Sequence, residues 1–536
     1  MRQFFKLLPV LLIGAGVLFF GGCSQTEIVD DGSVIRIGNG GEPRDLDPHT
    51  VSGTPEVRII LTLLEGLVAY HPTTDEIPYP GIAERWETSE DGRTWRFFLR
   101  EASWSNGEPL TAHDFVYSWR RVLEPGLGNE YADWMYMIDG AEAFHKGELT
   151  DISRVGIVAE SDRVFKVVLR QPTADFLKML LNHTFLPVHK ATIEAHGGPG
   201  IRQSGWTRPE SYIGNGAYRL VEWKPNSVIR VERNPYYWDA ESVRTDAFEF
   251  YPIDDVNTEL RAFESGQLHV TGTVPANMRN YYKETFPEKI RFDPFAGVYF
   301  YRINTTRPPL DDVRVRKALS LTINREVIVR QLLGGNERVA TSYIPEGTGG
   351  YVFPDGEVYD PEEARRLMAE AGFPGGEGWP GVELLFNTSD NHRKIAEAVQ
   401  NMWRKELGID ITLTNKEWKV YLDTTKEMDY DIARAGWIAN LYPFSFLRIF
   451  LSYSPNNDTG FDNPEFDRLL EESTRTLDKE KRYELVRQAE AIFMEVEPVI
   501  PIYWYTNVFL IDPRVKEWTP KLVNQRPMKF VYLETE

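Results

Sequence analysis

Residues 430–450 read Tyr-Asp-Ile-Ala-Arg-Ala-Gly-Trp-Ile-Ala-Asn-Leu-Tyr-Pro-Phe-Ser-Phe-Leu-Arg-Ile-Phe. Residues 430–435 alternate as a short strand. Gly436 and Trp437 break that pattern, and a loop rich in proline and aromatics follows. Working back from there, strand patterns at 382–386 and 409–413 alternate with helical patterns at 392–407 and 417–426. The first of these helices carries Ile395, Val399, Met402 and Trp403 on one face and stops at Gly408. Just upstream, Asp360 as cap, Pro361 at the first helical position, Glu362 and Glu363 in the first turn and Gly372 at the end mark another helix. A β-α-β-α-β order with right-handed crossovers predicts an α/β fold with a parallel sheet under helices.

In such a sheet the strand ends share one edge, and ligands bind there. Asn387, Thr388, Ser389 and His392 follow the first strand, and Lys416, Glu417 and Trp418 the second. Arg434, Gly436, Trp437 and Asn440 belong to the third. Cations and helix N–H groups attract carboxylate, and aromatics cover side chains, so the set suits a zwitterionic organic ligand. Each residue also has a structural reading: His392 as a solvated first-turn residue, Arg434 paired with an acid of the fold, and Trp418 or Trp437 in the core.

The rest of the chain reads as interwoven pieces. A strand at 34–38 leads into a helix at 57–67, and a hairpin at 82–100 turns at Asp91-Gly92. Thr111 caps a helix carrying Phe115, Trp119 and Val122 and ending before Pro125. A second hairpin spans 155–158 and 164–169. These elements predict a small α+β insertion. There is no internal repeat, low-complexity tract or flexible linker.

The N-terminus has a positive start, an apolar run over 7–20 and small residues before Cys23, as secretory signals do. It resembles a bacterial lipoprotein signal, in which the cysteine is lipidated, although Phe20 stands where such signals carry Leu. An ordinary signal peptide is the alternative. Cys23 is the sole cysteine, which excludes an intramolecular disulfide. With 80 Asp and Glu against 60 Lys and Arg, the formal charge is −20, which argues against nucleic acid as a partner. Fourteen Trp, 25 Tyr and 29 Phe are a high aromatic load, much of it for the core, but aromatics also line pockets that bury organic ligands. Nucleophile elbows, phosphate loops and His-Glu-x-x-His are missing, and nine His without ligand spacing predict no metal and no cofactor. The abundant carboxylates leave a paired-acid glycosidase open.

Further stretches carry a resemblance: Leu46-Asp47-Pro48-His49, Trp104-Ser105-Asn106-Gly107, Asn215-Gly216-Ala217-Tyr218, Asn387-Thr388-Ser389-Asp390 and Ala433-Arg434-Ala435-Gly436-Trp437. With them the chain resembles the oligopeptide-binding proteins of ABC importers, a group that also holds dipeptide and nickel binders. The resemblance implies a two-lobed clamp of the class II periplasmic-binding-protein type with an extra α+β domain on the first lobe. It implies a signal peptide at 1–22, lobe one at 24–64, 190–296 and 508–536, the additional domain at 65–189, and lobe two at 297–507. It further implies a monomer, lipid-anchored on the periplasmic or extracytoplasmic face of a bacterial membrane, that binds oligopeptides. These would pass to a permease and its ATPase subunits, with no enzyme activity. The implied peptide contacts are Tyr131, Asn387, His392, Trp418, Arg434, Gly436, Trp437 and Tyr505, with residue 440 at the ligand's α-ammonium group. Here the family's Asp is Asn440, and Arg302 stands where relatives carry Glu, which makes the site less anionic. The same architecture could hold an N-blocked ligand, an opine, an oligosaccharide or a metal chelate; a secreted hydrolase on another fold is a third reading.

Overall fold

The computed structural model describes residues 33–535, except 75–77, 174, 354, 355, 357, 440 and 441. The expected signal segment, Cys23 and Asn440 therefore lie outside the described residues.

The β-α-β-α-β unit is present, in a larger setting than its sequence pattern predicts. Strands Val382–Asn387, Ile411–Lys416 and Ile432–Ile438 are mutually parallel, with the first in the middle. They form part of a mixed six-stranded sheet, because the long strand Ile290–Ile303 lies antiparallel against Ile432–Ile438 and is itself flanked by Val499–Leu510. The purely parallel sheet is thus corrected to a mixed one. Helix Asp390–Leu407 starts where the Ser389 side chain accepts from the His392 N–H, and it ends at left-handed Gly408. Its Trp403, fully buried, donates from Nε1 to Leu319 O at 2.8 Å. Asp360 caps helix Pro361–Glu370 by accepting from the Glu362 and Glu363 N–H groups.

Several boundaries shift from the sequence pattern, among them the strand read at 409–413, which is Ile411–Lys416, and the helix read from 392, which starts at Asp390; two shifts bear on the site. The strand read as ending before Gly436 continues to Ile438, with Gly436 opposite Tyr299 and Trp437 opposite Val298. Glycine stands there for a close approach and makes no break: a Cβ on Gly436 would lie 2.5 Å from the Tyr505 hydroxyl. The first helix is Thr54–Leu63, not 57–67. Beyond Leu63 the backbone is drawn off, the Glu65 N–H to Asn215 Oδ1 and the Leu67 carbonyl to the Gly81 and Ala83 N–H groups.

Alternation along the sheet's central strand sets the cores on either side. Tyr299, Tyr301 and Ile303 join Leu384, Trp403 and Ile502 on one face. Val298 and Phe300 join Tyr343, Phe450 and Phe493 on the other. A separate core runs through two four-stranded sheets, uniting Ile35, Tyr218 and Phe248 with Phe97, Trp119 and Phe165. One of these sheets contains both predicted hairpins, Ala83–Thr88 with Thr94–Leu99 and Ile157–Ser161 with Val164–Val168. Asp47, in the loop after strand Val34–Gly38, receives both Nη1 (2.9 Å) and Nη2 (2.6 Å) of Arg121 on helix Ala112–Val122. Burial pushes the Asp47 carboxyl up, but the Arg121 guanidinium outweighs it and holds the pKa at about 2.

Behind the six-stranded sheet, buried Glu490 accepts from the Ile344 N–H (2.8 Å) and the Tyr351 hydroxyl (2.6 Å). Burial raises its pKa to about 7. A carboxyl that holds its proton more tightly when folded stabilises fully below its unfolded value near 4.5 and loses that contribution as pH rises through about 7. Urea denaturation of the wild type is expected to lose about 3 kcal/mol between pH 5 and 8 from this group alone. Glu490→Gln should flatten that part of the profile; an unchanged profile would remove the assignment.

Candidate ligand-binding cleft

A cavity of about 290 Å³ lies between the two sets of cores. Tyr131, Trp418, Arg434, Gly436, Trp437 and Tyr505 all line it. Asn387 and His392 stand behind Arg434. The Asn387 side-chain oxygen accepts from Arg434 Nη1 at 3.5 Å, and the His392 ring lies 5.5 Å from that of Tyr299. His392 is half-buried, its Nδ1 has no partner, and burial together with the Arg434 charge keeps its pKa well below 6.5. It is neutral, stands behind Arg434 and supplies no charge to the cavity.

Arg434 dominates the site's electrostatics. It donates from Nη2 to the Tyr505 hydroxyl at 2.7 Å, sits 4.7 Å over the Tyr299 ring, and leaves a buried Nε without a partner. Among the described residues no carboxylate pairs with it, contrary to the internal ion-pair reading. A half-buried guanidinium surrounded by neutral groups is a site waiting for an anion.

The backbone adds a second feature. Strand Ile432–Ile438 pairs along its length with Ile290–Ile303 on one side. On its other side, among the described residues, it pairs only at Ile432 and Ala433, with Leu384 and Leu385. Beyond Ala433 the Arg434 carbonyl accepts the Tyr421 hydroxyl, and Ala435, Gly436, Trp437 and Ile438 border the cavity. An unpaired strand edge opening on a cavity is a template for an extended chain.

The aromatic walls are held from behind. Trp437 donates from Nε1 to Ser445 O at 3.2 Å. Trp418, first residue of helix Trp418–Lys426, stacks on Tyr421 at 5.8 Å. Opposite, buried Tyr131 meets His183 edge-on at 5.1 Å and Trp134 at 6.0 Å. Glu56 has its pKa raised by burial, which Trp418 partly offsets, although neither Glu56 Oε2 nor Trp418 Nε1 has a partner of good geometry.

Several lining groups escape sequence reading because their partners are far away in the chain. Arg302 is met by Asp458 at 2.6 Å, so its charge is compensated locally. Arg44 pairs with Asp423 at 3.0 Å, and Glu130 lines the cavity. Behind the cavity Arg448 reaches Asp133 at 2.7 Å, and Tyr136 stacks with Tyr453 at 6.0 Å.

A family model for bacterial extracellular solute-binding proteins, family 5 (middle), matches residues 78–458. The chain belongs to this family. The periplasmic oligopeptide-binding protein OppA of Salmonella typhimurium is 36% identical over 511 residues, covering 92% of this chain and 91% of that protein. The crystal structure of Haemophilus influenzae OppA in complex with RPPGFSPFR has a TM-score of 0.89 at 32% identity, covering 94% of this chain and 100% of that one. The fold of this family 5 protein is accordingly a two-lobed clamp. Two structures of the murein tripeptide-binding protein MppA of Escherichia coli are also similar, each at 33% identity and covering 94% of this chain. One structure, 99% covered, scores 0.89; the unliganded open form, 98% covered, scores 0.64.

Proposed function

We propose that this family 5 protein captures oligopeptides between its closing lobes and delivers them to the permease of an ABC importer, which its ATPase subunits drive. The observation that carries this reading is the unpaired edge beyond Ala433, bordering a cavity that also holds Arg434 without an acidic partner. An extended peptide satisfies both, its main chain on the edge and a carboxylate on the guanidinium. The likeness to OppA, solved with a nonapeptide, supports the same ligand class. In this reading Tyr131, Trp418, Trp437 and Tyr505 cover the ligand's side chains, Asn387 and His392 position Arg434, and Asn440 stands near the ligand's amino end.

The protein acts by binding and release, without catalysis, as a monomer held to the membrane through lipidated Cys23. Its first lobe comprises 24–64, 190–296 and 508–536, with the additional domain at 65–189 and lobe two at 297–507. The core shared by both four-stranded sheets supports placing the additional domain on the first lobe.

Thermal unfolding with pools of defined tri- to hexapeptides tests the proposal. At a hundredfold excess over Kd a bound peptide adds about 2.7 kcal/mol and raises the midpoint. Pools that leave the midpoint unmoved, while sugars or chelates raise it, would overturn the peptide reading.

A further inference from the structure

The charges lining the cavity are matched within the protein, with two exceptions. Arg44 has Asp423 at 3.0 Å. Arg302 and Lys426 share Asp458, at 2.6 and 3.5 Å. Arg434 and Glu130 remain, one cation and one anion, each without an oppositely charged partner among the described residues. Arg434 belongs to the six-stranded sheet, whereas Glu130 precedes Tyr131 and Trp134, which pack into the core of the two four-stranded sheets. The two groups therefore approach a ligand from different walls.

Glu130 is held in place by its backbone. Its carbonyl accepts from Asn456 Nδ2 at 2.5 Å, a contact from the opposite wall. On the next residue the Tyr131 N–H donates to Asn129 Oδ1 at 2.6 Å, and Asn129 Nδ2 donates to Thr184 Oγ1 at 3.0 Å. The segment is thus fixed on both sides of Glu130, while the half-buried carboxylate has no hydrogen bond or ion pair among the described residues. A carboxylate partly withdrawn from water in the cleft is favoured further when a ligand brings it a positive charge. The nearby cations Arg302 and Lys426 reach Asp458, and among the described residues neither forms an ion pair with Glu130.

We propose that Glu130 is a ligand-binding residue whose carboxylate receives a cationic nitrogen of the bound peptide, while Arg434 receives a carboxylate. The inference rests on the peptide-capture reading and extends it to a site residue that the strand-edge motifs do not contain. The cation is either the peptide's α-ammonium or a basic side chain, and the two sources separate experimentally.

The test is calorimetric titration of wild type and Glu130→Gln with Ala-Ala-Ala, N-acetyl-Ala-Ala-Ala and Ala-Lys-Ala, with thermal melting to verify folding. Gln keeps the size and an acceptor oxygen but removes the charge. If the α-ammonium is the source, the variant binds Ala-Ala-Ala about tenfold or more weaker and the acetylated peptide as the wild type does. If a basic side chain is the source, the loss falls on Ala-Lys-Ala and spares Ala-Ala-Ala. Equal affinities of variant and wild type for all three peptides would overturn the role of Glu130 and leave peptide capture standing. A wild type that binds none of them would overturn peptide capture itself, and the role of Glu130 with it.

Discussion

Replacing Arg434 by Met is expected to weaken binding of peptides with a free carboxylate by about 2–5 kcal/mol, thirtyfold or more, without unfolding the protein. The side chain is held by Tyr505 (2.7 Å), Asn387 (3.5 Å) and the Tyr299 ring, all neutral, so its charge contributes to the ligand and not to an internal ion pair. Met retains the length and the apolar stem, and water can replace the donor lost by Tyr505 and Asn387. The check is calorimetry with a peptide and its C-terminal amide. The wild type should discriminate between them and Arg434→Met should not. Equal losses on both forms would mean that Arg434 shapes the cleft without reading a carboxylate. Arg434→Lys should fall between, keeping the charge but losing the planar fork.

Arg448→Met is expected to act on closure. Arg448 and Asp133 are 3% and 1% exposed at the side chain, pair at 2.7 Å, and come from the two sides of the cleft. Arg448 also lies 4.1 Å over the Trp134 ring. Removing the cation leaves the Asp133 carboxylate buried and uncompensated, a loss of about 3–5 kcal/mol. Opening the lobes hydrates Asp133, so the penalty falls on the closed form. The variant should show a larger radius of gyration by X-ray scattering and a loss of affinity that is the same for charged and neutral peptides. That uniformity separates it from Arg434→Met. A Asp133→Asn, Arg448→Met double variant should recover part of the closure. Unchanged scattering and affinity would show that the pair does not hold the lobes together.

The parts of this fold that were legible in sequence are those decided locally. Asp360 with Pro361, and Gly408 after Leu407, are helix signals whose partners lie within a turn. What escaped is decided at long range. From Ala296 to Tyr301 strand Ile290–Ile303 is buried on both faces, so that part lacks a polar alternation, and its register against Val499–Leu510 shifts between Pro294 and Val298. Nothing in its neighbourhood in sequence announces that it lies antiparallel beside Ile432–Ile438 and turns the sheet mixed. Gly436 misled for the same reason: its cause is Tyr505, almost seventy positions away.

The cleft divides along the same line. Residues at the strand ends, Trp418, Arg434, Gly436 and Trp437, are visible because a β-α-β order fixes which side the ends face. Glu130, Arg44 and the Arg448–Asp133 pair are not, since their roles depend on how two lobes meet. Arg302 was visible as a departure, but its compensation by Asp458 needs a contact spanning more than a hundred and fifty residues.

The central claim is that the cleft holds peptides. Mass spectrometry of the material released on unfolding, after purification without denaturant, tests it most directly. The account predicts a population of short peptides, released in about one equivalent per protein and absent from Arg434→Met prepared in parallel. Release of a single non-peptide compound in stoichiometric amount, retained equally by that variant, would contradict it.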